Sequence, residues 1–131
     1  MPPSIVRLFV SLPKQRPEAQ VIGRQLLRSG TSVVANFREA SRARTTSEFV
    51  SKLEVSIQEA DEADLWLELL RDDCGIQDRK VADLLAETNE LIAIFITMVK
   101  RSKLTTESGN ADISDFSFPA FNFRWQQPHR L

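Results

Sequence analysis

The sequence predicts an all-α protein, an antiparallel up-and-down four-helix bundle with a short first helix and an irregular C-terminal tail. Three observations predict it. Apolar residues recur at i, i+3 and i+4 through four separate stretches, the stripe that one face of a helix turns toward a core. Short tracts containing Pro, Gly, Ser or Thr separate the stretches, and links this short set consecutive helices side by side and antiparallel. No segment alternates apolar and polar residues between hairpin turn signals, so no strand and no repeat architecture is assigned.

Ile5, Leu8, Phe9 and Leu12 make the first stripe, and Pro13 stops that helix after about nine residues. The second helix opens at Pro17, a residue suited to a first turn, with Glu18 near the positive end of the helix dipole. Its core side is Ala19, Ile22, Leu26, Ser29, Val33, Phe37 and Ala40, which carries it to Arg42. The tract from Ser41 to Thr46 is a link, and Thr45 or Thr46 caps the third helix with Glu48 supporting the first turn. Phe49, Leu53, Ile57, Ala60, Ala63, Leu67 and Leu70 run down the third helix until Asp72-Asp73-Cys74-Gly75, where Gly75 is placed to take the left-handed conformation of a helix end. The fourth helix spans Asp78 to Arg101, with Val81, Leu84, Leu85, Thr88, Leu91, Ile92, Phe95 and Met98 on its core side. Lys100, Arg101 and Lys103 then fall at its C-terminal end, where the dipole favours cations.

The bundle domain therefore occupies residues 1–101 and the tail residues 102–131. The tail is polar at first and then aromatic, at Phe116, Phe118, Phe121, Phe123 and Trp125. Such a segment is either an untethered terminus or one that docks extended on its own bundle or on a neighbouring subunit.

Composition narrows the function classes. At 131 residues, 42% hydrophobic and 27% charged, the chain has the make-up of one soluble domain. No apolar run approaches the roughly 18 to 20 residues that span a bilayer, and the first residues lack a secretory cleavage pattern, so a cytoplasmic location with no membrane partner is expected. A single cysteine, Cys74, excludes an internal disulfide. A single histidine, His129, excludes a carboxylate-bridged di-metal centre of the bundle type, which needs two Glu-x-x-His helices. Cys74 has no helical His or CxxC partner and lies beside two aspartates, an environment that disfavours a thiolate nucleophile. No glycine-rich phosphate loop or nucleophile elbow occurs. Those exclusions predict a non-enzyme without cofactor or metal.

The net charge of −1 hides a segregation: residues 1–52 carry nine Lys/Arg against three Asp/Glu, whereas residues 53–91 carry three against twelve. On the second helix, Arg24, Arg28, Arg38 and Arg42 project into one arc of about 80° opposite the core side. The ridge is roughly 27 Å long at helical rise, comparable with several phosphate spacings, and the arginine fork meets phosphate oxygens bidentately. Arg44 follows in the link. The alternative is that these side chains solvate the face or pair with Glu54, Glu59 and Glu62 of the third helix. A second seam, Gly23, Leu27, Gly30 and Val34, is unusually small and invites another backbone to approach closely. Leu65, Trp66 and Leu69 lie outside the core side of the third helix, and with Gly23, Leu27 and Gly30 they are the candidate oligomer interface.

From Gln25 to Ala40 the chain reads QLLRSGTSVVANFREA, followed by Arg42, Arg44, Phe49, Lys52-Leu53, Glu59 and Trp66-Leu67. That pattern closely resembles the four-helix bundle proteins of the 23S rRNA intervening sequence family over residues 17–100. The resemblance implies protomers that associate as a ring-shaped homopentamer. It also implies kinship with the accessory variability protein of diversity-generating retroelements, whose basic ring surface binds nucleic acid and a reverse transcriptase. Arg28, Ser29, Ser32, Asn36, Glu39 and Arg42 match the motif, with no catalytic duty attached. Physically, Ser29 and Ser32 let helices approach, and Asn36 and Glu39 are placed to bond with the third helix, for example at Lys52. The first helix is shorter than the family's opening helix, and the tail lies outside the pattern. The expected function is an oligomeric scaffold that binds structured RNA or DNA through Arg24, Arg28, Arg38, Arg42 and Arg44; the rival is a protein-interaction adaptor with no nucleic-acid role.

Overall fold

Local chemistry sets the helix ends. Pro17 opens α2 (Pro17–Ser41) after an extended Arg16, and α2 closes through tight i to i−3 bonds, Arg42 N to Glu39 O at 3.1 Å and Ala43 N to Ala40 O at 3.0 Å. Thr45 caps α3 (Thr46–Asp72), its hydroxyl accepting from the Glu48 amide at 3.1 Å. Gly75 has a φ of +66°, and just past it the Ile76 amide returns to the Leu70 carbonyl at 2.9 Å, which satisfies a terminal acceptor of α3. The computed structural model describes residues 2–107, adding α1 (Pro2–Ser11) and α4 (Arg79–Glu107) to that pair. All four expected helices are present, and among the described residues there is no strand.

Bonds between helices fix the topology as antiparallel. Going up α2 from Arg28 to Glu39 means going down α3 from Glu62 to Lys52, because Arg28 meets Glu62 at 3.1 Å and Glu39 meets Lys52 at 3.5 Å. Asn89 with Asp64 at 3.3 Å and Lys103 with Glu54 at 3.7 Å do the same for α3 and α4. Ser11 with Asp78, at 3.5 Å, sets the end of α1 beside the start of α4. The order around the bundle is thus α1, α2, α3, α4, with α1 touching both α2 and α4.

The core sides follow the expected stripes with a few shifts. Ser56, not Ile57, is the fully buried residue of α3 at that level, and its hydroxyl donates to the Val33 carbonyl of α2 at 3.1 Å. A small residue is needed there because the two backbones come close enough for that bond. Ile22, Ile57 and Ile92 sit half-buried at the rim, and α2 also buries Gly23 and Gly30. At the end of α4, Val99 and Ser102 join the core side. The helix continues to Glu107, six residues past the expected Arg101. The aromatic positions from Phe116 to Trp125 lie outside the described residues.

The glycines of the seam meet α1 of the same chain. A Cβ on Gly30 would strike Cδ1 of Ile5, and one on Gly23 would lie 2.5 Å from Leu12 Cδ1 and 3.0 Å from Phe9 Cδ1. Both glycines are notches that receive α1. At ten residues α1 is about 15 Å long and reaches only part of the way along the 25-residue α2. Beyond it, Phe37 of α2 and Phe95 of α4 stack across the bundle with ring centroids 5.3 Å apart and an interplanar angle of 22°.

Two expectations follow for thermal or urea denaturation. Gly30→Ala gains helix propensity but displaces Ile5, which has no exposed surface, so it should cost about 1 kcal/mol net; the cost should vanish in an Ile5→Val background, where the struck methyl is gone. Thr88 is fully buried and its Oγ1 has no hydrogen-bond partner, so isosteric Thr88→Val should raise stability by about 1 kcal/mol.

Candidate nucleic-acid interface

The packing of α2 against α3 on one flank and α1 on the other leaves its outer side to solvent, and Arg24, Arg28, Arg38 and Arg42 all lie exposed there. Arg44 is exposed in the link that follows. The ridge is not uniform. Arg28 leans toward α3, where Nη2 meets Glu62 Oε1 at 3.1 Å and Nη1 meets Glu59 Oε2 at 3.5 Å. Glu59 is the more enclosed partner, its side chain only 16% exposed, so removing Arg28 would strand a covered carboxylate. The side chains of Arg24, Arg38, Arg42 and Arg44 carry no ion pair among the described residues. Of the three acids expected to compete for the ridge, Glu59 and Glu62 take Arg28, and Glu54 turns to Lys103 on α4 instead.

Other motif positions serve the fold. Ser29 is fully buried and donates to the Gln25 carbonyl of its own helix at 3.0 Å. Glu39 does reach Lys52, but Asn36 bonds within α2, to the Ser32 carbonyl at 2.9 Å and hydroxyl at 3.1 Å, so it does not bridge to α3. Glu39 thereby helps set the register of α2 on α3, while Asn36 is satisfied within its own helix.

On α3, Leu65 is 46% exposed, Trp66 and Leu69 are half-buried, and Trp66 Nε1 is covered without an acceptor. Leu27 of α2 is half-buried against the core. The acidic side of α3 has one perturbed member: desolvation first, then the neighbouring charges of Glu68 and Asp61, raise the carboxyl of Asp64 above its ordinary value. Its ionised form is disfavoured in the folded chain, so that strain is present at neutral pH and relaxes as pH falls through the folded value. Cys74 is buried, and burial pushes its thiol up, which keeps it protonated. Among the described residues no group of His, Cys, Asp or Glu is placed to hold a metal ion. A recess of about 120 Å³ between α1 and α4, lined by Ser4, Arg7, Lys80, Asp83, Leu84 and Glu87, is well below the size of a small-molecule pocket. No described helix is long and apolar enough to cross a membrane.

Comparison with known proteins supports the helical fold. A crystal structure of a protein of unknown function from the S23 ribosomal protein family of Bacteroides thetaiotaomicron superposes with a TM-score of 0.67 at 33% identity, over 76% of this chain and 91% of that one. No protein with a curated description matches. The family model of the 23S rRNA-intervening sequence protein matches residues 3–97, nearly the whole bundle. The chain, a bundle of four helices whose residues 3–97 match this model, belongs to the 23S rRNA-intervening sequence protein family.

Proposed function

We propose that the protein is a non-enzymatic, oligomeric helical scaffold, a homopentamer, that binds structured RNA or DNA through the outer face of α2. The observation that carries this reading is the line of exposed arginines, Arg24, Arg38 and Arg42, continued by Arg44, whose side chains carry no ion pair among the described residues. Arginine keeps its charge at all working pH values and grips phosphate with two donors at once. A protomer with three or four phosphate contacts binds weakly, and a ring of protomers multiplies it by effective concentration. Release of condensed counterions makes such binding fall steeply with salt.

A second reading has its own observation. Leu65, Trp66 and Leu69 form an apolar flank on α3 that α1, α2 and α4 leave partly open, and the Trp66 indole N–H lacks an acceptor. Aromatic residues of this kind anchor protein interfaces. The flank supports assembly of copies of this chain in the scaffold reading, and recruitment of another protein in the adaptor reading.

The test is fluorescence anisotropy against a structured RNA and a duplex DNA across a salt series, with mass followed by light scattering. Arg38→Glu/Arg42→Glu should weaken binding at least about tenfold at low salt and reduce the slope of log K against log salt by about 1.8, the value for two lost phosphate contacts. Unchanged affinity in that variant refutes the arginine interface. Arg28 is the wrong residue to reverse, since a carboxylate there would face Glu59 and Glu62. Trp66→Ala should lower the assembled mass while the isolated protomer stays helical; an unaltered mass would remove α3 from the interface.

A further inference from the structure

Two seams on different sides of the bundle carry exposed apolar residues edged by charges of opposite sign. The order of the helices sets the α1–α2 seam across from the α3–α4 seam. On the first, Val6 and Val10 lie one turn apart on the outer side of α1, 46% and 67% exposed, beside the half-buried Phe9 and Leu27. No carboxylate occurs among residues 1–17. Arg24, one residue past the notch at Gly23, and Lys14 are exposed and carry no ion pair among the described residues.

The second seam follows a seven-residue spacing. Asn89 and Lys103 of α4 both reach α3, so Ile96, midway between them, lies on the same stripe, and it is 38% exposed. Against it runs the α3 stripe of Glu54, Asp61 and Glu68, of which Glu54 meets Lys103. Leu65, 46% exposed, stands four residues from Asp61 and three from Glu68, and both therefore flank it. Asp61 and Glu68 are exposed and carry no ion pair among the described residues. The cations that border them are held elsewhere, Lys103 by Glu54 at 3.7 Å and Arg71 by Asp72 at 2.7 Å, and Lys100 lies one turn past Ile96, toward Glu54. Crowding of like charge registers on Asp64, whose carboxyl is raised by desolvation first and then by Glu68 and Asp61. Single exposed apolar residues are ordinary, but here they come in pairs, each pair edged by one sign of charge.

We infer that these faces bind each other across copies of the chain: the α1–α2 face of one docks on the α3–α4 face of the next, Val6 and Val10 meeting Leu65 and Ile96 while Arg24 and Lys14 meet Asp61 and Glu68. This rests on the oligomeric part of the proposed function and names the surfaces that meet. Charge selects the occupant, because two α1–α2 faces repel each other, as do two α3–α4 faces, and only the unlike pair is complementary. Apolar residues at the centre with a charged rim are the usual anatomy of such a contact. Since the two faces differ and belong to one chain, the contact is head-to-tail, the class from which rings are built. Arg24 then works at the interface, and Arg38, Arg42 and Arg44 stay open to phosphate.

The experiment is light scattering of the full-length protein without nucleic acid, on single variants and on their mixture. Val10→Glu and Leu65→Glu each put a carboxylate at the apolar centre of one face, at exposed positions where circular dichroism should report unchanged helix content. Each variant alone should fall to the 14.9 kDa of a single chain. Mixed in equal amounts they should recover a species of about twice that mass and no larger, because each chain keeps the face that the other lacks. Either variant holding the mass of the unmodified protein overturns the pairing of these faces and leaves assembly to the Trp66 flank. Two dissociated variants that fail to combine overturn it as well. An unmodified protein of 14.9 kDa overturns both this inference and the oligomeric scaffold, while Arg38→Glu/Arg42→Glu still decides phosphate binding.

Discussion

The antiparallel register of α2 against α3 is the constraint on which the other features rest. One buried hydrogen bond, from the Ser56 hydroxyl to the Val33 carbonyl at 3.1 Å, requires the backbones to approach closely and admits one register. Lys52 with Glu39 and Arg28 with Glu59 and Glu62 then fall opposite one another on the wet edge of the same seam. Exposed pairs of this kind are worth only about 0–1 kcal/mol each, so their effect is to discriminate against slipped alternatives more than to stabilise. With that register fixed, the rotation of α2 is fixed too, and the side chains of Arg24, Arg38 and Arg42 are left without an ion pair among the described residues.

The chemistry of the surface follows from a division of labour on a single helix. The inner side of α2 carries the core from Ala19 to Ala40, one flank carries glycines that admit α1, the other flank carries polar groups toward α3, and the outer side is left with cations. No side of the helix is idle. The acidic residues concentrate on α3, where Asp64 bears the cost of that concentration in a raised carboxyl pKa.

Most of the fold was legible in the residues because helical periodicity, the Pro17 start, the Thr45 cap and the Gly75 stop all act locally. Partners across space were not. The pair Gly23 and Gly30 announces that something comes close, but a small residue does not say what, and the neighbour proved to be α1 of the same chain. An arc on a helical wheel places four arginines together; only the rotation of α3 reveals that Arg28, at the edge, belongs to Glu59 and Glu62. Ile57 outranks Ser56 on hydrophobicity, yet the closeness of α2 selects the smaller side chain. The end of α4 was read too early because Ser102 and the threonines after it are weak helix formers, while no true breaker occurs before Gly109.

The short first helix also bears on how the chain reaches this structure. The α2–α3 and α3–α4 hairpins are built from neighbours in sequence and close small loops, whereas the contact of α1 with α4 joins the start of the chain to a segment nearly seventy residues on, as Ser11 and Asp78 do. Local pairs form fast and distant ones late. Seating Ile5 and Leu12 at Gly30 and Gly23 is itself a contact between sequence neighbours, so the pairing that closes late is that of α1 with α4. With ten residues against 25 or more in each of the others, α1 has the least surface to hold it and is the piece that detaches at the lowest free energy, so amide exchange along Ser4 to Leu12 would outpace that of the helices it covers.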